Sequence, residues 1–216
     1  MKHYTRYSAL FLTKAALIAA LYVVLSMLSE SVGLCSGVIQ CRFSEALTIL
    51  PAFMPESIPG LYIGCLLTNI LNPQANPWDI AFGPIATLIG AVGTYLIGRA
   101  VRKAAGKKLY TRTFLRIVVL TAMFALPPIL ANAAIIPPIL KFAYGYEGGY
   151  WFFVLTVGAG EIIACGVFGG ILLSALLGNR YTRQLLLTPP EKAEVIVKKG
   201  AEEKTVTVAL IPDPEE

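Results

Sequence analysis

Glu161 stands in the run Gly158-Ala159-Gly160-Glu161, about 11 residues into an apolar stretch from 151 to 178. At 1.5 Å per residue this is roughly 16 Å from the start of the stretch, near the middle of a bilayer. An ionisable group at that depth costs about 2.5–3.5 kcal/mol by insertion scales, so it is paired or it serves a function. A carboxylate there suits a ligand, or a helix–helix hydrogen bond. Arg42 and Glu45 are three residues apart, which puts them on one helical face. They read as an ion pair, or as a polar lining that exchanges partners with a ligand, and Gln40 can join them. Asn132 lies between Pro127-Pro128 and Pro137-Pro138. Prolines free backbone carbonyls, and irregular backbone at membrane depth lines cavities. The Asn132 amide, donor and acceptor at once, fits either a ligand or a neighbouring helix. Asn69 and Asp79 bracket a turn-rich connection, where Asp79 also reads as a helix cap. Paired carboxylates with amides suit a small, hydrogen-bond-rich ligand, cationic ones included.

Other chemistries lack their residues. No GxxxxGK[ST] phosphate loop is present, so the chain has no nucleotide hydrolysis of that type. No HExxH occurs, and His3 is the single histidine, which leaves no His-based triad or metal site. No CxxC metal spacing joins Cys35, Cys41, Cys65 and Cys165. Cys35 and Cys41 share a connection in which a disulfide is feasible, although small buried thiols are the reading favoured. The expectation is a non-enzyme without cofactor or metal.

The elements that must position these groups are hydrophobic spans. The chain has 216 residues, 56% hydrophobic and only 14% charged, with a mean hydropathy of +0.68. That balance argues against a free cytosolic enzyme and against disorder. Stretches near 8–28, 80–98, 114–140 and 151–178 are long enough to cross a bilayer. The segment 43–72 is interrupted by Pro51, Pro55 and Pro59 and reads as one kinked span or two short ones. Charge decides between them. Cations cluster around the first span (Lys2, Arg6, Lys14), after the 80–98 span (Arg99 to Arg116) and after the last span (Arg180, Arg183). Two short spans put all three clusters on the cytoplasmic side, as positive-inside bias requires.

The expectation is therefore an all-α membrane protein of six transmembrane helices, with both termini cytoplasmic and an inner turn at 54–59. Three outer connections follow, near 29–42, 72–79 and 141–150. Trp78, Tyr144, Tyr146, Tyr150 and Trp151 lie in or beside the last two, as an interfacial belt or as the cover of an outward pocket. The net charge of +5 divides into +8 for residues 1–188 and −3 for 189–216. The basic excess is thus mostly topological, and nucleic acid is not an expected partner. Residues 1–188 form the membrane domain. Residues 189–216 read as an acidic cytosolic tail in which 194–198 and 204–210 resemble two strands. Ala15, Ala16, Ala19 and Ala20 form two overlapping AxxxA patterns, which serve close packing inside the bundle or docking of another membrane protein.

The run Gln40-Cys41-Arg42-Phe43-Ser44-Glu45-Ala46-Leu47-Thr48-Ile49-Leu50-Pro51, followed by Ile58-Pro59-Gly60-Leu61-Tyr62-Ile63-Gly64-Cys65-Leu66-Leu67-Thr68-Asn69, closely resembles the QueT family. So do Asp79 through Pro84, Asn132 through Pro137, and Tyr150-Trp151-Phe152-Phe153 through Glu161. The resemblance covers roughly 8–187. It implies a substrate-binding (S) component of an energy-coupling factor (ECF) transporter for queuosine precursors: a six-helix plasma-membrane protein that takes substrate from outside. The implied partners are a transmembrane coupling subunit and two ATPases, with Ala15, Ala16, Ala19 and Ala20 as the docking face. The implied ligand is a 7-deazaguanine bearing a cyano or aminomethyl group. Glu161, Glu45, Asn132 and Arg42 would meet its polar edges, and Trp78, Tyr150 and Trp151 would stack on it. Other readings are an S component for another vitamin-like or nucleobase substrate, and a solitary proton-coupled transporter with Glu161 or Glu45 as relay.

Overall fold

A computed structural model of the chain describes residues 2–34, 41–105, 114–179, 192–199 and 202–209. Helix α1 spans Lys2–Ser31, and a 3₁₀ helix follows at Phe43–Ala52. Helix α2 runs over Ser57–Leu71, α3 over Pro77–Ala105 and α4 over Phe114–Phe142. The last span is a single rod built of three pieces: α5 at Tyr150–Glu161, a π-helix at Ile162–Phe168, and α6 at Gly169–Gly178. Four stretches are long and apolar enough to cross a membrane: Ala9–Ser31, Pro77–Ala104, Phe114–Phe142 and Tyr150–Gly178. The chain is a multi-pass membrane protein with a helical body. Leu10, Leu12, Leu17, Leu21, Leu155 and Ile171 point outward, as side chains facing lipid do.

The region 43–72 does divide into two short pieces. The turn between them is tighter than the sequence suggests, because α2 already begins at Ser57 and takes Pro59 into its first turn. Proline is tolerated there because the first-turn N–H groups have no intrahelical acceptor. The Lys14 ammonium bonds the Glu56 carboxylate at 2.9 Å, tying this turn to the first half of α1.

Close packing replaces the hydrophobic effect as the cohesive term between membrane helices, so small residues matter. A Cβ on Gly60 would lie 2.7 Å from the Ala15 carbonyl, and one on Gly64 would lie 2.7 Å from Tyr22 Cβ. Ala15 and Ala19 are accordingly buried against α2, whereas Ala16 and Ala20 are exposed. Half of the AxxxA surface thus works inside the bundle, and the other half remains outside.

Helix α4 continues through Pro127, Pro128, Pro137 and Pro138 without interruption, where the sequence suggested irregular backbone. Pro128 lacks the N–H that would bond the Phe124 carbonyl. The Thr94 hydroxyl of α3 donates to that carbonyl instead, at 2.8 Å. Gly90 lets α3 come this near, since a Cβ there would sit 2.7 Å from Pro128 Cα. A core of Ile49, Ala52, Phe53, Val101, Leu120, Phe124, Leu173 and Leu177 fills the end of the bundle away from the outer connections. Within it the Phe53 and Phe124 rings meet edge to face at 5.6 Å.

Two strands, β1 at Lys192–Lys199 and β2 at Glu202–Ala209, pair antiparallel from Lys192↔Ala209 to Lys199↔Glu202. Each strand starts two residues before the segments 194–198 and 204–210 read from the sequence; the first ends one residue later and the second one residue earlier.

Candidate functional site

The 3₁₀ helix arranges the first part of the site. It has three residues per turn, so side chains at i and i+3 eclipse. Arg42 at its N-cap, Glu45 and Thr48 therefore share one edge. Pro51 helps set this geometry: it has no N–H for a bond to the Leu47 carbonyl, and it disfavours the α conformation at Leu50. Glu45 is almost wholly buried, at 3% exposure. Its Oε1 accepts a hydrogen bond from the Tyr22 phenol of α1, and its Oε2 has no partner. A buried carboxylate oxygen without a donor costs more than an ordinary hydrogen bond returns.

Opposite the 3₁₀ helix, the last span presents Glu161 at the junction between α5 and the π-helix. The widened turn fits the association of π-bulges with functional sites. The Cys165 thiol lies 3.2 Å from Glu161 Oε2, 3.4 Å from the Thr48 hydroxyl and 3.5 Å from the Glu45 carbonyl. A carboxylate oxygen of Glu45, one of Glu161 and the Cys165 sulfur all lie within 4.8 Å of one another. Asn132 of α4 lines the same cavity as Glu161.

Asn69 closes the other side. Its Oδ1 accepts from the Arg42 guanidinium at 3.3 Å, and its Nδ2 donates to the Asp79 carbonyl at 2.9 Å. Gly83 makes room for it, since a Cβ there would fall 2.6 Å from Asn69 Nδ2. The Asp79 carboxylate accepts from the Tyr144 phenol and from the Asn76 N–H, so it holds two outer connections together as well as heading α3. Asn76 N–H also donates to the Tyr144 oxygen at 2.9 Å. Tyr144 lies beyond the end of α4, and its phenol is pushed up to about 12, by burial first and by the Asp79 hydrogen bond second.

These side chains line one cavity, at the end of the bundle where the three connections meet. Its walls are Arg42, Glu45, Cys65, Asn69, Asp79, Gly83, Thr87, Asn132, Ile136, Val157 and Glu161. It holds about 480 Å³ between atoms with its mouth included, of which about 30 Å³ admits the centre of a water molecule, so it is a narrow slot. Six residues singled out in the sequence thus converge: Arg42, Glu45, Asn69, Asp79, Asn132 and Glu161. Trp78, Tyr150 and Trp151 lie outside the lining. Trp78 is 55% exposed and stacks on Phe82, and Trp151 is 74% exposed with Tyr150 against its edge, positions that suit an interfacial belt. Gln40 and Cys35 lie outside the described residues, while Cys41, Cys65 and Cys165 are buried. Sequence reasoning missed Tyr22, Thr48, Cys65, Thr87 and Cys165. The only signal available for Tyr22 was a phenol in the otherwise aliphatic run 15–25.

Comparison with known proteins gives the family. The family model described as QueT transporter matches residues 12–177. The chain belongs to the QueT family. A queuosine precursor transporter QueT of Lactococcus lactis subsp. cremoris (strain MG1363) is 36% identical over 75 residues, 34% of this chain. The match spans 43% of that relative's length. No solved structure matches. All the cavity residues fall inside the span matched by the QueT model.

Proposed function

We propose that this QueT-family chain is the substrate-capture subunit of an ECF-type importer and binds a 7-deazaguanine queuosine precursor from the outer side. The observation that carries the reading is the unpartnered Glu45 Oε2 in a slot lined by carboxylates, amides and a guanidinium. A guanine-like base supplies what such a slot lacks: adjacent N–H donors for a carboxylate, a carbonyl for Arg42 or an amide, and a flat body for narrow walls. Six spans with both termini cytoplasmic fit the arrangement. The 3₁₀ helix and α2 would form two short crossings, and the cavity mouth would face outward. Residues 1–188 would form the membrane unit and 189–216 a cytosolic appendage. A transmembrane coupling subunit and two ATPases would supply energy, since the sequence has no phosphate loop.

Equilibrium binding of 7-aminomethyl- and 7-cyano-7-deazaguanine to purified protein tests the reading. Saturable binding of at least one is expected, and Glu161→Gln should weaken it by about tenfold or more, the equivalent of one charge-assisted hydrogen bond. No saturable binding of either base would overturn the substrate assignment.

A further inference from the structure

The cavity's charges do not balance. Its walls carry Glu45, Asp79 and Glu161 against the single guanidinium of Arg42. Asp79, half-buried near the outer connections, is engaged by Tyr144 and Asn76. Arg42 reaches toward Asn69. Deeper in, Glu45 and Glu161 approach each other: the hydrogen bonds on their carboxylates come from the neutral Tyr22 phenol and Cys165 thiol, and the one Arg42 guanidinium attracts both electrostatically. Glu45 Oε2 has no hydrogen bond at all. Two carboxylates so close in a medium of low dielectric repel strongly unless one takes up a proton or a cation lies between them.

We infer that the Glu45–Glu161 end of the slot is an ammonium subsite, which makes the aminomethyl base, rather than the neutral cyano base, the preferred ligand. This rests on the reading of the chain as a 7-deazaguanine binder. The geometry suits one nitrogen. An ammonium about 2.8 Å from two oxygens at a tetrahedral angle holds them roughly 4.6 Å apart. The Glu45 and Glu161 oxygens lie within 4.8 Å of each other. The third N–H would face the Asn132 amide oxygen or the ring. A protonated aminomethyl arm thereby adds one positive charge where the walls have excess negative charge. A nitrile offers only an acceptor, to oxygens that are themselves acceptors. With the arm held there, the guanine-like edge falls to Asn69, Asp79 and Arg42 nearer the mouth.

The test is the ratio of the two affinities, measured by competition on the purified chain in detergent with a chelator present. The aminomethyl base should bind at least about tenfold more tightly than the cyano base. Glu45→Gln should bring the ratio below about threefold, and Glu45→Asp, which keeps the charge, should retain most of it. Equal or tighter binding of the cyano base overturns the ammonium subsite while leaving the 7-deazaguanine reading intact. A preference that survives in Glu45→Gln also overturns it, as does one seen only when the chelator is left out, because a metal ion would then occupy the carboxylates. Binding of neither base overturns the underlying reading instead.

Discussion

Glu45 and Asp79 show how the same functional group is used in two ways. Glu45 is buried in the slot's wall with one oxygen held by Tyr22 and the other without a partner, so it has hydrogen-bonding capacity to spare. Asp79 is occupied by Tyr144 and the Asn76 N–H and acts first as a latch across the cavity mouth. The latch has a pH signature. The Tyr144 phenol titrates at about 12 against an ordinary 10, so its donor proton is fully present below pH 10 and is lost as pH rises through about 12. Alkaline absorbance titration of Tyr144→Phe should lack one phenol, and the missing one should be among the last to ionise. Loss of a phenol that titrates near 10 would contradict the latch. The sequence exposed the acidic and amide members because charge is conspicuous in an apolar run. It concealed Tyr22 and Thr48, since a tyrosine or threonine in a membrane helix needs no special explanation. It also promoted Trp78 and Trp151, whose enrichment near interfaces made them equally good candidates for a belt.

At the level of elements, the spans were legible because length and apolarity are additive along the chain. Their internal irregularities were not. A 3₁₀ run of ten residues and a π-turn of seven differ from α-helix by a few tenths of an ångström of rise per residue, and composition carries no period that separates them. The prolines of α4 were visible, but their consequence was local. The carbonyl freed by Pro128 is satisfied by Thr94, and the helix continues. Thr94→Val removes that donor at nearly constant volume. It should destabilise the α3–α4 pair by about 1 kcal/mol, read as a lower unfolding midpoint in detergent, with Thr94→Ser close to the parent. An unchanged midpoint in Thr94→Val would mean that the carbonyl finds another donor.

Across the whole molecule, the end of the bundle that carries Lys14, Arg102 and Arg116 lies opposite the cavity that gathers the acidic residues. Between them α1 divides its small residues by face. Ala15 and Ala19 are covered by α2, and Ala16 and Ala20 are presented outward. Only three-dimensional packing distinguishes these overlapping patterns, because both have the same spacing. If the outward pair receives a coupling subunit, Ala16→Leu combined with Ala20→Leu should leave base binding by the purified chain within about twofold. The same substitutions should reduce precursor uptake by cells about tenfold or more. Unimpaired uptake would remove this face from the docking surface.

The 3₁₀ helix at Phe43–Ala52 couples length to azimuth. Rewound as an α-helix, its ten residues would contract from about 20 Å to about 15 Å, and Glu45 would swing about 60° out of line with Arg42. Such a rewinding would be a screw motion: travel along the axis at the 53–56 turn would also be rotation at the carboxylate. An axial displacement imposed at the turn where Lys14 and Glu56 are bonded would reach the slot as a misaligned charge. Such a displacement would alter the slot without any of its residues being touched directly.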